Sequence, residues 1–229
     1  MILDFTIHTI QDMKAAVEGF GFLPLFANSI PGFSIEEHAA KEVWYQKGSD
    51  DWKIWEWKGP VIRECGCAYG KFWEKKAAFV SREWFGDFAN FRRDGYDFDA
   101  RWDDGLAFRG DKELYELIEA NAPLTSKRLK RIGGYGKEGK KGFETCLGRL
   151  QSQAYVTICD FVYPRNRQGE SYGWGMAEYT TPELWFGPEF RRGVYQVSPE
   201  ESGRRILGHL KEMLPGAKEE SLSRALRKI

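Results

Sequence analysis

Seven basic side chains fall between residues 127 and 141: Lys127, Arg128, Lys130, Arg131, Lys137, Lys140 and Lys141, against one acid, Glu138. Cations at this density can hold a polyanion. Each phosphate they neutralise releases counterions, so binding of this kind weakens steeply with salt. Gly133, Gly134, Gly136 and Gly139 lie inside the cluster. A glycine-rich backbone bends freely and lets N–H groups approach an anion. Arg165 and Arg167 stand in a second polar run, Pro164 to Glu170. A solvated basic loop without any partner would have the same composition, so the elements around these residues must decide.

Other residue patterns offer less chemistry. Asp97, Asp99, Asp103 and Asp104 are spaced like part of a calcium loop. The fifth and sixth positions are Arg101 and Trp102, where such a loop wants an oxygen ligand and glycine. With Arg92, Arg93 and Arg101 nearby, the segment reads better as an interdomain ion-pair and capping network, with a magnesium site built from carboxylate pairs as the alternative. The cysteines are Cys65, Cys67, Cys146 and Cys159, and the histidines His8, His38 and His209. Cys65-Gly66-Cys67 is too tight for a zinc site, so reduced thiols and no metal are expected. No nucleophile elbow, phosphate loop, zinc-protease helix or dinucleotide fingerprint occurs. No cofactor is implied.

The elements that must position the basic cluster can be read from caps and periodicity. Residues 111–121 repeat apolar positions at helical spacing, and Pro123 stops them. Thr125 or Ser126 caps a short helix that carries the basic residues as far as Ile132. Gly142 introduces a third helix with Phe143, Leu147 and Leu150 on one face. Two strands, 154–163 and 172–180, follow around the polar turn holding Arg165 and Arg167. Three helices and then a hairpin is the order of a winged helix-turn-helix. In such modules the third helix enters the groove and flanking cations grip phosphates.

The same order is visible less cleanly from 9 to 81. Thr9 with Asp12 opens one helix, and Ser34 with Glu37 opens a second reaching Trp44. The stretch 52–57 fits both periods, and Pro60 interrupts it or starts a short helix. Residues 67–73 and 77–81 form a hairpin around Glu74-Lys75-Lys76. Ser198-Pro199-Glu200-Glu201 opens a helix, and Pro215-Gly216 turns the chain into a last one. The expected fold is therefore α+β, with tandem winged-helix-like modules and a C-terminal helical pair. The boundaries are 1–110 for the first module, 111–181 for the second and 182–229 for the helical segment.

The 229 residues carry 34 basic and 34 acidic side chains, a net charge of zero. That excludes a uniformly basic coat or an acidic tail. The neutrality conceals a split. Residues 1–120 hold 15 basic against 22 acidic groups, a net of −7, and residues 121–229 hold 19 against 12, a net of +7. The opposed halves could dock on each other, on a second copy, or on nucleic acid. Met1-Ile2-Leu3-Asp4 lacks a basic leader, so a cytoplasmic protein is expected. The longest uncharged run, Gly19 to Ile35, contains Pro24 and Pro31 and cannot be a membrane helix.

Two runs, Ala68-Tyr69-Gly70-Lys71-Phe72 and Arg92 to Arg101, resemble the short AlkZ-related proteins. Phe79 to Phe85 and Phe143-Glu144…Leu147…Leu150-Gln151 resemble the AlkZ-like bacterial DNA glycosylases. Those enzymes stack winged helices around a β-barrel and hydrolyse the N-glycosidic bond of alkylated or crosslinked purines. A Gln-x-Gln or Gln-x-Asp motif holds their attacking water. The resemblance implies double-stranded DNA as partner and a role in DNA repair. It also exposes a departure. After the first helix this chain has Gly21-Phe22-Leu23-Pro24-Leu25-Phe26, with Pro24 and Phe26 in the two polar positions. Neither can orient a water. Gln151-Ser152-Gln153 is a Gln-x-Gln in the other module. On a helix its two amides would point about 200° apart, and only on a strand would they share a face. The reading is thus a winged-helix DNA-binding protein without the water-activating pair. The alternatives are an active, divergent glycosylase using Gln151 and Gln153, and an interaction module without nucleic acid.

Overall fold

A computed structural model describes residues 5–44, 53–169 and 173–227. The first helix, α1 (Ile10–Phe20), starts at a complete capping box in which Thr9 and Asp12 satisfy each other's backbone N–H groups. It stops at Gly21, whose φ of 71° and proximity to the Trp84 ring leave no room for a side chain. Next come β1 (Phe22–Pro24), α2 (Ile35–His38) and α3 (Lys53–Cys65). The strands β2 (Ala68–Trp73) and β3 (Lys76–Val80) form a hairpin whose two turn residues, Glu74 and Lys75, both have positive φ. A two-residue turn needs that geometry to match the strand twist.

A connecting helix α4 (Arg82–Arg93) and a short α5 (Phe98–Asp103) lead to the second half. There the chain runs α6 (Arg109–Asn121), β4 (Leu124–Thr125), α7 (Ser126–Ile132), α8 (Phe143–Ser152), β5 (Thr157–Val162) and β6 (Met176–Thr180). Helices α9 (Pro182–Phe186), α10 (Pro188–Gly193), α11 (Pro199–Met213) and α12 (Glu219–Leu226) follow. The fold is α+β. Among the described residues the strands make one antiparallel sheet in the order β1-β3-β2-β5-β6-β4. Helix, strand, helix, helix, strand, strand therefore occurs twice, and in each unit the first strand pairs with the third.

The two half-sheets meet where Tyr69 of β2 lies opposite Ile158 of β5. A side chain completes the joint. The buried Thr157 hydroxyl accepts from Tyr69 N–H and donates to Tyr69 C=O, each at 3.2 Å. Two residues along the same edge of β2, Lys71 N–H donates to the Gln151 amide oxygen and Ser152 Oγ donates to Lys71 C=O, each at 3.3 Å. The end of α8 is thus tied to the edge of β2.

Several local expectations need correction. The helix opened by Ser34 ends at His38 and does not reach Trp44. Pro60 neither breaks nor starts a helix but sits inside α3. The residue before it, Gly59, lies so close to β5 that a Cβ there would stand 2.8 Å from Asp160 Oδ1. The last strand starts at Met176; the expected start, Tyr172, lies outside the described residues. In the acidic segment, Asp97 does cap α5, accepting from Ala100 N–H at 2.8 Å. Two of the three arginines expected to pair with it, Arg92 and Arg93, turn inward instead. Arg92 donates to Phe72 C=O and Ala225 C=O. Arg93, fully buried, donates to Glu183 Oε1 at 2.6 Å, Tyr195 OH at 2.8 Å and Ala154 C=O at 2.7 Å. It fastens α4 to the α8–β5 connection and to α9.

Candidate nucleic-acid interface

Helix α7 is capped by Thr125, whose hydroxyl accepts from Arg128 N–H at 3.3 Å. Leu129 is its buried anchor, and a helix held by one apolar residue turns its remaining side chains outward. Lys127, Arg128 and Arg131 are exposed. The glycine-rich loop after α7 is folded back on itself. Tyr135 N–H donates to Lys130 C=O and Lys140 N–H to Gly134 C=O, both at 2.8 Å. The Tyr135 ring packs edge-on against Phe143 of α8. This places Lys137, Lys140 and Lys141 on the same surface segment, all exposed.

Two of the seven cations have carboxylate partners. Lys140 lies 2.7 Å from Glu113, whose carboxyl it holds below the usual range together with Arg109. Lys130 lies 2.7 Å from Glu144 of α8. Lys141 donates to the carbonyls of Gly136 and Lys137. Lys127, Arg128, Arg131 and Lys137 make no ion pair among the described residues, and neither do Arg165 and Arg167, which are exposed beyond β5. Exposed pairs of the Lys140–Glu113 kind contribute little to stability, so a phosphate can replace the carboxylate at small cost.

Beside this face lies a pocket of about 190 Å³ where the two half-sheets join. Its walls are Ala77, Leu147, Ile158 and Phe161, with Tyr69 and Tyr179 from the sheet and Gln151 from α8. Exposed Lys71 and Glu144 stand at its rim. Burial raises the Tyr69 phenol, and burial followed by the Glu144 charge pushes Tyr179 up to about 12. Both hydroxyls therefore keep their protons at neutral pH and can donate.

The remaining polar group is Lys58. The buried residues of α3 include Ile54, Val61 and Ile62, and Lys58 occupies the intervening position on that stripe. Only 9% of it is exposed, and it makes no ion pair or hydrogen bond to described residues. Its Nζ sits over two rings, 4.5 Å from the Trp55 centroid and 4.2 Å from that of Phe161. Burial without a counter-charge lowers the amine to about 8.

Of the two glutamines, only Gln151 lines the pocket. Its oxygen accepts from Lys71 N–H and its NH2 donates to Leu147 C=O, so both ends bind backbone. Gln153 is buried at the C-cap of the same helix and is not part of the lining. Pro24 pairs with Ala78 in β1, and the Phe26 ring packs against Trp44 and Trp55. That bend is apolar and packed. Trp55 links it to the buried lysine, since its ring touches Phe26 and also lies under Lys58 Nζ. Among the described residues no cluster of three His, Cys, Asp or Glu is placed to hold a metal.

Over residues 7–227 the chain matches the family described as AlkZ related. It belongs to the AlkZ-related family. No curated protein and no solved structure matches it. Membership makes this AlkZ-related protein a DNA glycosylase-like relative. Among the described residues no helix is long and apolar enough to cross a membrane.

The pocket's amine was hidden in the sequence by the double periodicity of 52–57 and by Pro60. Once α3 is drawn through Pro60, a lysine in line with Ile54, Val61 and Ile62 is the signal, since lysines are almost never buried without a partner.

Proposed function

We propose that this AlkZ-related protein binds double-stranded DNA through α7, the glycine-rich loop and α8, with each repeated unit acting as a winged-helix-like module. Lys127, Arg128, Arg131 and Lys137 hold phosphates with Lys141, joined by Lys130 and Lys140 once their carboxylates yield. Arg165 and Arg167 contact backbone from the wing. The protein works on cytoplasmic DNA and does not hydrolyse the glycosidic bond by the family's water-activating pair. One observation carries this reading. Lys127, Arg128, Arg131 and Lys137, which make no ion pair among the described residues, belong to the same basic segment as Lys130, whose partner Glu144 stands at the rim of the pocket. Fluorescence anisotropy with a labelled duplex tests it. Affinity that falls steeply as salt rises is expected. No binding at low salt, or binding indifferent to salt, would overturn it.

The pocket favours a second reading, base excision. It is the size of one ring or sugar, smaller than drug-sized ligand sites of about 300–1,000 Å³. Its aromatic walls and phenolic donors suit a nucleotide turned out of the stack. Gln151, with both amide ends engaged, is poorly placed to hold water. Abasic product formed from alkylated duplex would establish excision, and intact substrate after prolonged incubation would exclude it.

A further inference from the structure

We propose that Lys58 is a nucleophilic amine that captures the aldehyde of a ring-opened abasic deoxyribose as an imine. The substrate class rests on the DNA reading above; the amine stands on the geometry of α3.

A lysine normally sends its ammonium to water or to a carboxylate. Lys58 does neither among the described residues. Its stem runs along the apolar stripe of α3, and its Nζ is held between the Trp55 and Phe161 rings inside the pocket. Desolvation in an apolar site is one of the ways enzymes obtain a neutral, nucleophilic lysine at ordinary pH. The titratable groups on the surrounding elements are Lys71 and Tyr69 of β2, Glu144 of α8 and Tyr179 of β6. Asp160 of β5 is engaged by Arg63. Among the described residues no carboxylate is left beside the amine to keep it charged, and burial lowers it to about 8.

The chemistry needs nothing further. The nitrogen lone pair adds to the C1′ carbonyl carbon, and the carbonyl oxygen becomes a hydroxyl by taking up a proton. The nitrogen then loses its protons as the hydroxyl departs as water, leaving a C=N bond. Amine plus aldehyde gives imine plus water, with no oxidant or reductant. The pocket's protonated phenols, Tyr69 and Tyr179, are donors for the carbinol oxygen. Lys71 at the rim and the α7 cations meet the phosphates on either side. A sugar without its base fits the limited volume, and its aldehyde is the electrophile an unpaired amine selects.

Borohydride trapping on a duplex with one abasic site tests this. A covalent adduct mapping to Lys58 is expected, growing as pH rises through 8. It is lost in Lys58→Arg, which keeps the charge but cannot form a stable imine, while duplex binding is retained. Wild-type protein that binds the abasic duplex without an adduct, or an undiminished adduct in Lys58→Arg, overturns the proposal. Absence of any duplex binding overturns the DNA reading and the sugar with it. Pyridoxal followed by borohydride then judges the amine separately. Labelling at Lys58 ahead of the exposed lysines supports it, and labelling only of exposed lysines overturns it.

Discussion

Lys130 Nζ lies 2.7 Å from Glu144 Oε1, so the basic helix α7 is paired to the rim of the pocket. Glu144 competes there with any phosphate for Lys130. Glu144→Gln removes the competitor and one negative charge from the proposed face. Duplex affinity should rise several-fold at about 0.1 M salt, and the slope of log affinity against log salt should steepen by about one. Anisotropy titrations across a salt series would measure both.

Lys58 should cost the fold stability at neutral pH. Burial lowers the folded-state amine to about 8, below its usual value near 10.5, so the unfolded chain holds the proton more tightly. Below pH 8 the folded protein carries the full penalty of a desolvated charge. As pH rises from 8 towards 10.5 the penalty disappears, because the neutral amine is then favoured in both states. Lys58→Met should therefore stabilise the protein by about 1–3 kcal/mol at pH 7, the ring contacts of the ammonium offsetting part of the shift. The gain should vanish near pH 10.5. Urea unfolding of both proteins at the two pH values checks the sign.

Arg93 is the buried fastener between α4, the α8–β5 connection and α9. Glu183→Ala would leave a fully buried guanidinium without its carboxylate. A loss of about 3–5 kcal/mol is expected, read as a lower urea midpoint.

A hydroxyl adds to the backbone pairing at the joint between the half-sheets. Thr157→Val keeps the shape of the side chain but removes the hydroxyl that bonds both Tyr69 N–H and Tyr69 C=O. That should cost about 1–3 kcal/mol. Amide exchange at Tyr69 should accelerate with it.

What could be read from sequence was local. Thr9, Thr125 and Ser198 announce helices by their caps, and the Glu74-Lys75 turn lies between strands whose composition is plain. The basic cluster falls on α7 and on the approach to α8 because the Thr125 cap precedes it and Gly142 follows it. Distant relationships left no such mark. The Tyr69–Ile158 pairing spans two units, and its adhesive is a threonine that looks ordinary in a strand. Arg92 and Arg93 resembled surface partners for nearby acids. Their real acceptors are carbonyls of Phe72, Ala225 and Ala154 and the side chains of Glu183 and Tyr195, which only folding brings near. Lys58 was obscured by a proline that α3 tolerates in its interior.

The most direct measurement is duplex affinity across a salt series for wild type and for the combined Lys127→Ala, Arg128→Ala and Arg131→Ala variant. Wild-type affinity should fall steeply with salt, and the variant should bind more weakly at low salt with a slope shallower by about three, one per lost phosphate contact. Equal affinity and equal slope in a folded variant would contradict the account, because α7 would then not be the face that meets the phosphates.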